Sequence, residues 1–177
     1  RARAGKFLNC RAVKSRWADL SKCDLTNSDF AGATIEDLSG AILEQAEFAG
    51  AHLKKLRGVR AIRARFDGAN LEGSDFEGAI LSSAHFVGAK LVKAVFRRCD
   101  LGDARLGGVD ATSAVFEEAR LAFADFSHAI LKNADFRRAD IHRACLHRAE
   151  EAGARFEQSK GTPVRTDPDL KEAEDWR

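Results

Sequence analysis

From residue 66 onward a large apolar side chain stands at every fifth position: Phe66, Leu71, Phe76, Leu81, Phe86 and Leu91. The frame continues through Phe96, Leu101, Leu106, Phe116, Leu121, Phe126, Leu131, Phe136, Ile141, Leu146 and Phe156, with Ala111 in one slot and Glu151 breaking the pattern. Two positions before each sits something small, as at Ala64, Ala69, Ser74, Ala79 and Ala84. Five residues turn an α-helix by about 500°, so such a set would wrap around the helix. An odd step also flips sides on a strand. A chain that turns a corner every five residues satisfies the pattern, because each bulky residue then points to a shared axis.

A second spacing fixes the number of corners. Phe76, Phe96, Phe116, Phe136 and Phe156 recur every 20 residues, as do Leu81, Leu101, Leu121 and Ile141. Four fives close one coil, and coils stacked at about 4.8 Å can hydrogen-bond to one another. Earlier in the chain the large residues run Leu20, Leu25, Phe30, Ile35, Leu38, Leu43, Phe48, Leu53, Leu56, Ala61 and Phe66, with two steps of three. Those coils advance by 18 residues, so that Leu20 stacks on Leu38 and Leu56, and Phe30 on Phe48, Phe66 and Phe86. Gly32, Gly50, Gly68, Gly88 and Gly108 align at a turn position that favours φ > 0. The shortened corners hold Glu36–Asp37 and Lys54–Lys55, predicted to face each other. At Val59/Ala61 and Val109/Ala111 the small and large slots exchange sizes, which conserves core volume only if both point inward.

The repeated unit is a small residue, Asp or Asn, then Leu or Phe. It stands as AlaAspLeu at 18–20, CysAspLeu at 23–25, SerAspPhe at 28–30 and 74–76, AlaAsnLeu at 69–71, AlaAspPhe at 124–126 and 134–136, and AlaAspIle at 139–141. Over about residues 18 to 156 the chain resembles the pentapeptide repeat family. The resemblance implies an all-β fold, a right-handed quadrilateral β-helix solenoid; the period itself carries no handedness.

A solenoid needs its ends closed. Residues 1–17 read as an N-terminal cap or degenerate coil, with Leu8/Cys10, Val13/Ser15 and Trp17. Residues 18–160 form the β-helix, and 161–177 a C-terminal capping segment. Within the last, TDPDLKEAEDW at 166–176 reads as a short capping helix, with an Asp167 cap, Pro168 in the first turn, and Leu170, Ala173 and Trp176 on one side. A chain without Met that begins at Arg1 is expected to be a segment of a longer protein.

Charge and chemistry narrow the function. The net charge is +2, with 15 charges of each sign in residues 61–160, so nucleic-acid binding has no global electrostatic support. No apolar run reaches membrane-span length. Cys10, Cys23, Cys99 and Cys145 lack CxxC spacing and read as fillers or surface thiols in a reducing, cytoplasmic setting. His142, Cys145 and His147 are expected to point outward and make a weak zinc set. His52, His85 and His128 have no catalytic companions in sequence. No cofactor is expected, and a rod filled by Phe and Leu offers no substrate cavity. Glu77, Arg97, Glu117, Arg137 and Glu157 alternate in sign along one column, and Asp100, Arg120, Asp140 and Lys160 along the next. A slip by one coil would set like charges together.

These features predict a non-enzymatic rigid scaffold or protein-binding module, monomeric or weakly oligomeric, with no nucleic-acid or membrane partner. Val95, Val115 and Phe123 are its candidate contact residues, and the basic start (Arg1, Arg3, Lys6, Arg11, Lys14, Arg16) a further candidate grip on an acidic partner. The resemblance implies two settings: a terminal appendage of a larger protein such as a bacterial secretion adaptor, or a DNA mimic. Some family members bind gyrase or related topoisomerases, inhibiting them or protecting them from quinolones, as acidic rod-like dimers. The alternating ladders here do not form the acidic face that mimicry needs.

Overall fold

A computed structural model describes residues 19–166. The expected N-terminal cap at 1–17 and, beyond Thr166, the expected capping helix lie outside the described residues.

Successive coils begin at Asp19, Asp37, Lys55, Asp75, Val95, Val115, Asp135 and Arg155, each bridged in parallel to the next. From Asp75 upward every bridge joins residue i to i+20, up to Lys160 on Asp140, so the 20-residue spacing in the sequence is the coil itself. Each side is too short for more than one bridging residue. A turn follows at once, with the third residue's N–H returning to the inward residue's carbonyl, as from Ala69 to Phe66 at 3.0 Å.

The inward residue's own N–H reaches the coil above, as from Phe96 to the Val115 carbonyl at 2.7 Å, and the residue before it reaches the coil below, as from Val95 to Ser74 at 2.8 Å. The first turn residue's N–H has no such backbone partner. The Asp or Asn two residues earlier takes it: Asp29 Oδ1 accepts from Ala31 at 3.0 Å and Asp125 Oδ1 from Ser127 at 2.9 Å. The acidic letter of the repeat is therefore an Asx turn that supplies the missing acceptor.

The second turn residue has positive φ, 62° at Gly68 and 57° at Lys93. More of these corners carry a non-glycine than a glycine, each at a cost of about 1 kcal/mol.

Phe76, Phe96, Phe116, Phe136 and Phe156 form one column, with ring centroids 4.8, 5.2, 4.8 and 5.0 Å apart and planes within 13° of parallel. Phe30, Phe48, Phe66 and Phe86 form another at 4.9–5.2 Å. The columns meet edge to face, as at Phe116–Phe126 with 5.5 Å and 86°. Leu25, Leu38, Leu43, Leu71, Leu81, Leu91, Leu101, Leu121, Leu131, Ile141 and Leu146 are buried with them, as are the alanines two positions before. Val59, Ala61, Val109 and Ala111 are all fully buried. Leu20 and Phe156, assigned to the core from sequence, are only partly buried, because each belongs to an end coil. At the upper end the Arg165 guanidinium lies 5.8 Å over the Phe156 ring and pairs with Glu151 at 2.9 Å, so the residue that breaks the repeat anchors a partial cover.

The two shortened corners are the only regular strands among the described residues, β1 (Thr34–Asp37) and β2 (His52–Lys55), paired in parallel. Losing two residues removes the turn, and the chain runs extended around the corner. Asp37 sits opposite Lys55 with 3.8 Å between charges. Lys54 does not face Glu36 as an ion pair; its Nζ donates to the Glu72 carbonyl at 2.8 Å. Above β2 the coil lengthens: His52 bridges Asn70 but Lys55 bridges Asp75. There the fully buried Ser74 donates its hydroxyl to the Leu53 carbonyl at 2.6 Å, where no corner turn returns an N–H.

Candidate interaction surface

The chemistry-bearing side chains are held apart or enclosed. Cys99 is buried, donates to the Phe76 carbonyl at 2.9 Å, and has its thiol pushed up to about 12 by burial. Such a thiol carries almost no thiolate at neutral pH. Cys23 and Cys145 are half-buried. His147, expected outward, is buried instead, with its ring 5.7 Å from that of His128 across one corner. Among the described residues no three His, Cys, Asp or Glu side chains are grouped to hold a metal.

Charge is largely consumed in pairs between coils. Arg97 reaches Glu117 at 3.1 Å, Arg120 reaches Asp100 at 3.2 Å, and Arg57 reaches Glu77 at 2.7 Å. Glu77 also takes Arg98. Arg137 departs from its column and binds Asp135 at 2.7 Å, while Arg155 binds the same oxygen at 2.7 Å. Asp135 is 4% exposed, and the Arg137 hydrogen bond holds its carboxyl below the usual range against the cost of burial. A 330 Å³ cleft lined by Arg137, Arg138, Arg155, Glu157 and Gln158 lies beside this cluster. Its guanidinium groups are engaged, Arg138 by Glu118 and Gln158.

Val95 and Val115 stack as bridge partners but are half-buried rather than exposed. Phe123 is 52% exposed, with its ring 5.9 Å from His142 and 5.8 Å from the Arg143 guanidinium. Ile42, Ile80 and Val87 are exposed as well and were not singled out in the sequence. For the isoleucines the signal was present: each occupies the slot before an inward residue, where the repeat prefers Asp or Asn.

The model of pentapeptide repeats matches in eight copies, over residues 16–36, 62–98, 99–137 and 114–150, more than half of the chain. The chain belongs to the pentapeptide repeat family. Solved pentapeptide repeat proteins share its repeat β-helix fold. A trypsin-treated variant of QnrB1, described as a plasmid-mediated fluoroquinolone resistance protein, aligns over 95% of both chains at 15% identity and a TM-score of 0.55. Full-length QnrB1 aligns over 94% of this chain and 95% of its own, at 18% identity and 0.52. HetL, involved in heterocyst differentiation regulation in Nostoc sp. strain PCC 7120, aligns over 89% of this chain and 90% of its own, at 22% identity and 0.27. No curated protein matches the sequence. Proteins of the pentapeptide repeat family are generally structural or binding proteins rather than enzymes.

Proposed function

We propose that this pentapeptide repeat protein is a non-enzymatic, rigid protein-binding module. The observation that carries the reading is the stacked, parallel column from Phe76 to Phe156. It fills the axis of the rod, so recognition has only the outer faces to work with. A frame whose backbone is hydrogen-bonded coil to coil presents those faces at little conformational cost, the advantage of a preorganised surface. In this reading residues 18–160 are the rod, and 1–17 and 161–177 close or tether its ends. The test is affinity capture with the intact chain, followed by calorimetry with the purified captured protein. Stoichiometric binding supports the reading; turnover of a small molecule by the same preparation overturns it.

A second reading, mimicry of DNA toward gyrase, is favoured by the fold likeness to QnrB1. Duplex DNA carries one negative charge per ~1.7 Å of axis. Here the acids of the first coils are answered by the next, Glu44 by Arg60 and Glu47 by Arg65, which breaks any continuous acidic face. A supercoiling assay unaffected by micromolar protein removes this reading.

A further inference from the structure

The last described coil differs from those beneath it in what it turns toward the axis. From Leu20 to Leu146 every inward slot holds an apolar residue. The slots above Leu131, Phe136, Ile141 and Leu146 hold Glu151, Phe156, Gly161 and Arg165. Glu151 follows the bridge residue Glu150, and its carbonyl accepts the Ala154 N–H at 2.9 Å, as the carbonyl of an inward residue does throughout the rod. The final side is one residue short, since Asp140 and Cys145 are five apart and their partners Lys160 and Val164 only four. The short step runs through Gly161, at φ 81°, where a Cβ would lie 2.6 Å from the His142 Cα. It brings Arg165 above Leu146, whose N–H donates to the Val164 carbonyl at 2.7 Å. Two opposite charges therefore stand in inward slots, paired at 2.9 Å across the end of the Phe column.

Around this pair runs an open rim. In the lower coils each inward N–H donates to the coil above, and each small-slot carbonyl accepts from it. The N–H groups of Glu151 and Phe156 and the carbonyls of Ala149, Ala154 and Ser159 are directed the same way. Among the described residues no coil lies above them. Such an edge is a template for pairing with another chain. A rod built by stacking like on like can continue onto a second copy, and a head-to-tail contact of that kind does not close. We propose that the Glu151–Arg165 pair is an end stop, which keeps a second copy of this chain from stacking on the upper end of the rod.

The pair is placed where it has that effect. Other coil-to-coil pairs, such as Arg97–Glu117 and Arg120–Asp100, join outward slots and leave the axis apolar. Arg165 and Glu151 keep 53% and 24% of their side chains exposed. A stacked copy would take both out of water, and the attraction within a buried pair seldom repays its desolvation. Charges turned inward are one of the means by which sheet edges are kept apart. The stop fixes the length of the rod and leaves its sides as the surface a partner meets, whatever that partner is.

The test is sedimentation velocity on the full chain over a wide range of concentration. The wild type is expected to stay monomeric. Glu151→Leu with Arg165→Leu leaves the net charge unchanged and is expected to associate, with its weight-average mass rising at least twofold. Glu151→Arg with Arg165→Glu restores a pair in the same slots and is expected to stay monomeric. So is Glu44→Leu with Arg60→Leu, which removes a pair from the side of the rod. A monomeric Glu151→Leu, Arg165→Leu protein overturns the proposal. So does equal association of the wild type, the reversed pair or the side variant. If the leucine variant loses the wild-type far-UV spectrum, Glu151→Gln with Arg165→Met, close in side-chain length, takes its place with the same expectation.

Discussion

The rings of Phe96 and Phe116 lie 5.2 Å apart with planes only 4° from parallel, and neither is exposed. Both belong to a column that continues through neighbouring coils, so neither can be trimmed without opening a void between fixed layers. Phe116→Ala is expected to cost about 3–5 kcal/mol, the range for large-to-small changes in a packed core. Glu118→Ala, on the exposed corner beside it, is expected to change stability by under about 0.5 kcal/mol. Urea unfolding of the two variants checks both, and similar losses would contradict the column as the main source of stability.

Among the described residues, Ser74 is the one small-slot residue that donates a hydroxyl to a core carbonyl, that of Leu53. Replacing it with alanine fits the volume but leaves that oxygen without the hydroxyl. The expected loss is about 1–3 kcal/mol. Ser28→Ala, at a buried small slot in an early coil, serves as the comparison and should cost less. The denaturant midpoints of the pair separate the hydrogen bond from the packing.

Lys93 holds φ at 57° at an exposed corner. Glycine relieves the left-handed strain there, and the relief exceeds its larger entropy in the unfolded chain. Lys93→Gly is expected to stabilise by about 0.5–1 kcal/mol, raising Tm by roughly 2–4 °C per kcal/mol. Lys93→Val, β-branched in the same conformation, should lower it. Differential scanning calorimetry of both variants decides the sign.

Asp135 is more acidic in the folded protein than in the unfolded chain, chiefly through Arg137. The stability it adds is complete above the unfolded carboxyl value, about 4, and is lost as pH falls through the lower folded value. Tm should therefore fall as the solution is acidified below about pH 4, and less steeply in Asp135→Asn. The variant starts lower at neutral pH, because Arg137 and Arg155 lose their shared anion. Thermal melts of both proteins from about pH 2 to about pH 7 measure the difference in slope.

Much of the axis was legible because it is written by size and spacing. Phe96, Phe116 and Phe136 recur every 20 residues, and four five-residue sides per coil bring them into one column. The skipped residues before Leu38 and Leu56 marked the tight corners, although the extended strands there were not foreseen. Side-chain choices among several equidistant partners were less readable. Arg137 had Glu117 and Glu157 above and below it in its column, yet it takes Asp135, two residues back, which offers a buried carboxylate and a second arginine. His147 carries a polar letter in an outward slot and is nevertheless enclosed, with its ring against that of His128. The exposed isoleucines were missed for a simpler reason: an inward-pointing pattern draws the eye to the core, and their slot matters only when the motif's acid is absent.

Along two outer columns the signs recur every second coil, at Glu77, Arg97 and Glu117 and at Asp100, Arg120 and Asp140, whereas the backbone and the aromatic column recur every coil. Those charge columns thus have twice the period of the skeleton. Excising the single coil 95–114 would leave the Phe column whole but bring Glu77 beneath Glu117. Excising 95–134 would set Glu77 beneath Arg137, with both patterns intact. A chain built this way tolerates growth and shortening best in double steps.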